Sequence, residues 1–189
     1  AELTHRLMGN WTPETTNWHR LIEVPDPTAA LSRPYPFYLA YGLEEPDQIT
    51  PVGAWSAERK WDGIRGQLIC RAGSHHLWSR GEEVMTDRFP ELAVLKDVLP
   101  AGTVIDGEIL AHDTNGPLPF ATLQKRIGRK TVPKKLLVEA PVILMAYDLL
   151  EAGGADIRQQ PFSARRKQLE TLCASLPSDL PLRVSPQVP

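Results

Sequence analysis

The 189-residue sequence holds only two cysteines, Cys70 and Cys173. That excludes a disulfide framework and a cysteine-built zinc site, and both thiols are expected as small packing residues. Long hydrophobic runs are also missing. The longest apolar stretch, near Pro141 to Ala146, is far short of the roughly 20 residues that cross a bilayer. The opening residues, Ala1-Glu2-Leu3-Thr4, carry no basic and then apolar leader, so a reduced, cytoplasmic protein without membrane contact is expected. There is no initiator Met, which suggests an excised piece. Neither GxxxxGKS/T nor GxGxxG occurs, so a P-loop or dinucleotide fingerprint is not supported. The five histidines show no metal-ligand spacing. Charge of one sign is lacking too: 21 basic against 23 acidic residues leave a net -2. A wholly basic nucleic-acid module is thereby excluded, though a basic face is not.

What is present is globular in balance, with 42% hydrophobic and 23% charged residues. Residues 1–57 contain three basic and seven acidic side chains. They also contain Pro13, Pro25, Pro27, Pro34, Pro36, Pro46 and Pro51, so only short helices and extended segments fit there. Residues 1–45 read as a wrapping arm or linker, with a helix opening at Thr12-Pro13 that aligns Trp18, Leu21 and Ile22. Beyond Ala54 the pattern has period two. Ile64, Gly66, Leu68 and Cys70 face one way, and Arg65, Gln67, Ile69 and Arg71 the other. A turn at Ala72-Gly73-Ser74 makes a hairpin with residues 76–79. Apolar residues at 89, 92, 95 and 99 predict a helix over 89–99. Strands are expected at 103–111, at 141–150 (apolar, hence central) and from 182, with two short helices over 119–140 broken at Gly128 and Pro133. A last helix over 163–174 has Ser163 as its expected N-cap. Together these predict an α+β fold with mostly antiparallel sheet.

The segment Glu58-Arg59-Lys60-Trp61-Asp62-Gly63-Ile64-Arg65 concentrates the chemistry. In an extended chain Glu58, Lys60 and Asp62 share one face, and Gly63 can bend the chain so that Arg65 rejoins them. A lysine held among cations yields its proton more readily, and a neutral amine is a nucleophile. An edge strand protected by alternating charges has the same pattern.

Lys60-Trp61-Asp62-Gly63-Ile64-Arg65 resembles the nucleotidyl-lysine motif KxDGxR of the ATP-dependent DNA ligases. Three more motifs follow in the family's order: Ser79-Arg80-Gly81-Glu82, Ile105-Asp106-Gly107-Glu108, and Ala146-Tyr147-Asp148-Leu149-Leu150. The resemblance covers roughly residues 46–189 and is nearest to the bacterial enzymes. His5-Arg6-Leu7-Met8-Gly9-Asn10-Trp11 looks like the tail of their helical N-terminal DNA-binding region. The resemblance implies a nucleotidyltransferase (ATP-grasp-like) fold, with residues 1–45 as the arm and 46–189 as the first part of the adenylation domain.

By resemblance, Lys60 attacks the α-phosphate of ATP, releases pyrophosphate and carries AMP. The AMP then passes to the 5′-phosphate of nicked double-stranded DNA, and the nick is sealed. The same resemblance implies that Arg65, Arg80 and Mg²⁺ surround the phosphate charge. It makes Glu58 the reader of the adenine amino group, Tyr147 the stacking aromatic, Glu108 the ribose or metal carboxylate, and Asp62 an orienting acid. Read without it, Arg80 is equally a hairpin surface arginine and Tyr147 a core aromatic. Glu108 lies in an apolar strand, where an unpaired carboxylate is costly.

A basic cluster at Lys125, Arg126, Arg129, Lys130, Lys134 and Lys135 has no acidic residue among it. It suits a phosphate backbone, against the alternative of a solvated helical face. The family's later motifs, an EGxxxK-type segment and a terminal KxK pair, are not found. The fold is therefore expected to be incomplete at its C-terminus and the piece weak or inactive alone. An RNA ligase or capping-type enzyme, which shares the lysine motif, and a non-catalytic nucleotide- or DNA-binding module are the alternatives. NAD⁺ as donor is not favoured. A monomer is expected.

Overall fold

The computed structural model describes residues 12–14, 17–19, 29–39, 41–129 and 131–188. His5 to Trp11, the predicted partners Leu21 and Ile22, and Lys130 lie outside the described residues. Two long strands organise the chain. β1 (Ala57–Glu58), β2 (Ile64–Arg71), β3 (Ser74–Ser79), β4 (Thr103–Asp113), β5 (Gly116–Pro117), β6 (Val142–Ala152), β7 (Ala155–Asp156), β8 (Leu182–Val184) and β9 (Gln187–Val188) build two sheets. The larger has the order β3-β2-β4-β6-β7, with β5 on β4 and β8 on β6. Its pairings are antiparallel except the parallel β6–β8 pair, between which lie β7 and the helix Phe162–Ala174. β1 and β9 form a separate two-stranded sheet. The helices are α1 (Ala29–Ser32), α2 (Leu95–Val98), α3 (Phe120–Ile127), α4 (Lys134–Glu139) and α5 (Phe162–Ala174).

The period-two pattern of β2 does what it predicts. Leu68 and Cys70 enter the main core with Leu77, Phe89, Ile105, Ile109, Leu144 and Leu169. Ile69 turns to the opposite face with Trp78, Val104 and Leu150. β6 runs through the middle of the sheet, as an apolar strand should. No helix among the described residues is long and apolar enough to cross a membrane.

Three expectations need correction. The 89–99 segment is a 3₁₀ helix over Pro90–Val94 that passes into α2, not one α-helix. The spacing explains it: Phe89, Leu92 and Leu95 are three residues apart, the period of a 3₁₀ turn, and all are buried. α5 starts at Phe162 after an N-cap at Pro161, whose carbonyl accepts from the Ala164 and Arg165 amides, so Ser163 lies inside the helix.

The third correction is Arg126. It does not face solvent with its basic neighbours but is fully buried at 0% exposure. Its guanidinium donates to both Glu91 oxygens at 2.5 and 2.7 Å, to the Ala140 carbonyl at 2.8 Å and to the Arg88 carbonyl at 2.6 Å. It also lies 5.0 Å over the Phe89 ring. Arg126 falls three residues after the buried Leu123 on α3, so the helix turns it inward. There it ties α3 to the 3₁₀ segment. A buried pair broken at one partner leaves the other uncompensated, so Arg126→Ala should lower the unfolding free energy in urea by about 3 kcal/mol. Exposed Arg129→Ala should change it by less than about 0.5 kcal/mol; equal effects contradict the assignment.

Candidate functional site

The face opposite the main core carries only two small apolar clusters among the described residues, around Ile69 and Trp78 and around Leu110 and Met145. There a cleft of about 1180 Å³ is lined by residues of β1, β2, β4, β6 and α5, by residues 36–39 and by Tyr41. Period two in β4 places Asp106 and Glu108 on this face, between the core residues Ile105 and Ile109. The β2–β4 register sets Arg65 opposite Glu108 and Gln67 opposite Asp106. In β6 the pairing register shifts at two points, between the partners of Asp106 and Gly107 and between those of Val104 and Ile105. Such an extra residue re-aims side chains. As a result the consecutive residues Tyr147 and Asp148 both line the cleft.

The floor of the cleft is ionic. Arg65 makes a bidentate pair with Asp106, Nε to Oδ1 at 3.2 Å and Nη2 to Oδ2 at 3.0 Å. Asp106 is only 4% exposed. Burial pushes its carboxyl above the usual range, and Arg65 pulls it partly back. Burial lowers the Arg65 guanidinium, but the hydrogen bond and charge of Asp106 more than offset that, so Arg65 sits above its ordinary value. Asp148 is paired with Arg165 of α5 at 2.8 and 2.9 Å. Glu108 accepts from the Tyr147 hydroxyl at 3.0 Å and from the Gly63 amide.

That last contact explains Gly63. Its φ is not in the left-handed region; the requirement is space. A Cβ there would lie 2.3 Å from the Ile109 carbonyl and 2.8 Å from the Glu108 Cγ. The glycine lets the lysine segment lie against β4 so that its amide reaches the carboxylate.

Above the floor runs the arm. Gln67, fully buried, bonds the Tyr35 amide at 2.8 Å and the Tyr35 carbonyl at 3.0 Å, as a neighbouring strand would. Arg71 donates to the Arg33 carbonyl at 3.0 Å and Arg65 to the Tyr38 carbonyl at 2.6 Å. The Tyr35 hydroxyl donates to Glu151 at 2.7 Å, which Arg71 also holds. Arg65, Gln67 and Arg71 of β2 thus bond the backbone of Tyr38, Tyr35 and Arg33 across the sheet.

Of the expected site residues, Glu58, Lys60, Arg65, Arg80, Glu108 and Tyr147 all line this one cleft. They come from four separate stretches of sequence. Lys60 and Arg80 are exposed, whereas the other four are partly buried. Asp62 is exposed and lines no part of the cleft; Arg59 lines it instead. The strand geometry that would have grouped Glu58, Lys60 and Asp62 ends at Glu58 with β1. Glu58 Oε1 accepts from Arg166 at 3.0 Å, while its Oε2 is buried with no donor among the described residues. Lys125 and Arg129 are exposed near the end of α3, and Lys134 and Lys135 at the start of α4, remote in role from the buried Arg126. Lys135 lies 3.5 Å from Glu139. Sequence reasoning passed over Asp106, Asp148, Arg165 and Arg166. The first had a legible signal, since it alternates with Glu108 along one strand.

Burial also pushes the Glu108 carboxyl up, opposed by the Tyr147 hydroxyl, the Gly63 amide and the charges of Arg65 and Arg80. Burial and the Glu108 charge push the Tyr147 phenol well above its ordinary value, so it stays a donor. Tyr147→Phe removes one stabiliser of the ionised carboxylate. The Glu108 midpoint, followed by carboxyl carbon NMR, should therefore move further up. Because the folded value is raised, ionising Glu108 costs stability as pH rises from the unfolded-chain value through the folded one. The substitution should steepen that loss, and a midpoint that stays or falls contradicts the geometry.

A family model described as the ATP dependent DNA ligase domain matches residues 44–188. DNA ligase C2 of Mycolicibacterium smegmatis is 42% identical over 130 residues, covering 68% of this chain and 36% of that protein. A probable DNA ligase of Opitutus terrae is 44% identical over 116 residues, 61% of this chain and 11% of that protein. Among solved structures, mycobacterial DNA ligase D complexed with ATP and MES is similar with a TM-score of 0.57 and 31% identity, over 71% of this chain and 40% of that one. The ligase domain of the Mycobacterium tuberculosis enzyme gives 0.56 and 32%, over 71% of this chain and 41% of that one. The chain thus spans well under half the length of these relatives. Its helices packed on mostly antiparallel sheet are the nucleotidyltransferase fold of those ligase domains. On the extent of the matched segment and the identity of its relatives, the chain belongs to the family of ATP-dependent DNA ligase domains.

Proposed function

We propose that this chain is the nucleotide-charging part of a DNA ligase, in which Lys60 takes AMP from ATP and the nucleotide then activates a DNA 5′-phosphate. The observation that carries this reading is the convergence of Glu58, Lys60, Arg65, Arg80, Glu108 and Tyr147 on one cleft. In it the Lys60 amine attacks the α-phosphorus, the bond to the bridging oxygen breaks, and pyrophosphate leaves with that oxygen. Phosphoryl transfer of this kind needs positioning and cations more than it needs covalent help. Arg80 and Arg59 are exposed cations on the cleft wall beside Lys60, and Arg65 holds the floor through Asp106. Tyr147 supplies an aromatic face for adenine, worth about 1–3 kcal/mol for a stacked base. The buried, donorless Oε2 of Glu58 fits the adenine amino group, since a carboxylate can only accept.

ATP enters with Mg²⁺, which supplies charge neutralisation on its phosphates. Among the described residues no three His, Cys, Asp or Glu side chains are gathered around a metal. Glu108, a hard carboxylate lining the cleft, would hold such an ion beside the nucleotide.

The exposed Lys125, Arg129, Lys134 and Lys135 form the surface proposed to meet the DNA backbone by charge. The relatives' names, all of them DNA ligases, favour a nicked DNA duplex over an RNA end. The protein is read as a cytoplasmic monomer. The test is incubation of the protein carrying this segment with α-labelled ATP and Mg²⁺, followed by peptide mass mapping. One AMP should sit on Lys60 and be lost in Lys60→Ala. An adduct that survives this substitution, or one mapped to another residue, contradicts the proposal.

A further inference from the structure

We infer that Arg166 is a positioning residue that sets base selectivity by fixing the Glu58 carboxylate; this rests on reading the cleft as a nucleotide site. Arg166 lies on α5, more than a hundred residues from Glu58 in sequence, and is only 4% exposed. Its Nε donates to Glu170 Oε1 at 2.7 Å and its Nη1 to Glu58 Oε1 at 3.0 Å. Nη1 also reaches the Tyr147 carbonyl at 3.4 Å, and Nη2 donates to the Ser185 carbonyl. A single guanidinium therefore joins the strand before the nucleophile, the bulged strand that carries the aromatic, and the segment following β8.

The consequence falls on Glu58. One carboxylate oxygen is engaged by Arg166, and the other is left buried without a donor. Fixing the first oxygen fixes the plane of the carboxylate and hence the direction of the second. An acceptor held in one direction separates a purine carrying a 6-amino donor from one carrying a 6-carbonyl, because the carbonyl would oppose it oxygen to oxygen. The same guanidinium touches the backbone of Tyr147, so the two residues proposed to hold the base share one anchor. The segment just after Ser163 carries both supports: Arg165 holds Asp148 while Arg166 holds Glu58.

The planar fork is what this needs. A lysine keeps the charge but, as a compact head, cannot span acceptors on three elements. Arg166→Lys thus separates positioning from mere charge compensation. The unsubstituted protein carrying this segment should bind ATP at least about tenfold more tightly than inosine triphosphate by calorimetry, the worth of one charge-assisted hydrogen bond. In Arg166→Lys the ratio should fall toward one while far-UV circular dichroism stays unchanged. Glu58→Asp retracts the carboxylate from Arg166 but leaves the arginine's other contacts in place. It should lose the same discrimination, which keeps the test decisive if the lysine variant does not fold. The double variant should discriminate no less than either single one, since both act on the same oxygen. Wild-type discrimination in folded Arg166→Lys or in Glu58→Asp overturns the inference alone. Equal binding of the two nucleotides by the unsubstituted protein overturns the reading of the cleft, and the inference with it.

Discussion

The Arg65–Asp106 pair is the interaction on which the cleft depends. Asp106 sits in the middle of a strand whose other face is packed with Ile105 and Ile109, and it is almost wholly removed from water. A carboxylate there is tolerable only with a cation held against it. Arg65 is that cation, and it reaches the site because β2 and β4 pair antiparallel with Gln67 opposite Asp106. Its remaining nitrogen binds the Tyr38 carbonyl, so the pair also fixes where the arm crosses the sheet. Sheet, floor and arm are joined through one guanidinium.

From that pair the rest of the site follows by register. Two residues along β4 from Asp106, on the same face, comes Glu108, which collects the Gly63 amide and the Tyr147 hydroxyl. The Gly63 contact draws the lysine segment against β4, and Lys60 projects at the cleft's exposed rim. The register shift in β6 brings Tyr147 and Asp148 to the same face. The β1–β9 pair then closes the far end, where Trp61 Nε1 donates to the buried Ser185 Oγ at 2.9 Å. On the face opposite the main core, paired charges stand beside two small apolar clusters, one with Ile69 and Trp78 and one with Leu110 and Met145. Arg65 and Arg165 hold the Asp106 and Asp148 carboxylates, while Glu58 keeps one oxygen without a donor among the described residues.

Much of this was legible in the sequence because it depends on periods and motifs. The alternation in β2, the hairpin turn, the apolar central strand and the two short helices around Gly128 all follow from local patterns. Lys60, Arg65, Arg80, Glu108 and Tyr147 of the cleft stand in four short motifs that occur in order, whereas Asp62 of the first motif lies outside it. What escaped depends on geometry that no local pattern carries. The three-residue spacing of Phe89, Leu92 and Leu95 was itself visible, but it is shared by a helical stripe and a 3₁₀ turn. Arg126 sits among five exposed-type cations, and only the packing of α3 against Glu91 turns it inward. Gly63 read as a bend, whereas its requirement is the approach of a carbonyl from a strand more than forty residues away. Arg165 and Arg166 look like surface charges on a helix of weak amphipathic pattern; their partners lie on strands far off in sequence.

The most direct test of this account is a double-mutant cycle on the floor of the cleft, with Arg65→Met and Asp106→Leu measured by urea unfolding alone and together. Arg65→Met leaves Asp106 buried and unpaired and should cost about 3–5 kcal/mol, whereas removing both charges should cost far less than the sum of the singles. A coupling of about 2 kcal/mol or more is the predicted result. Strictly additive losses would mean that the pair does not support the cleft, and would contradict the account.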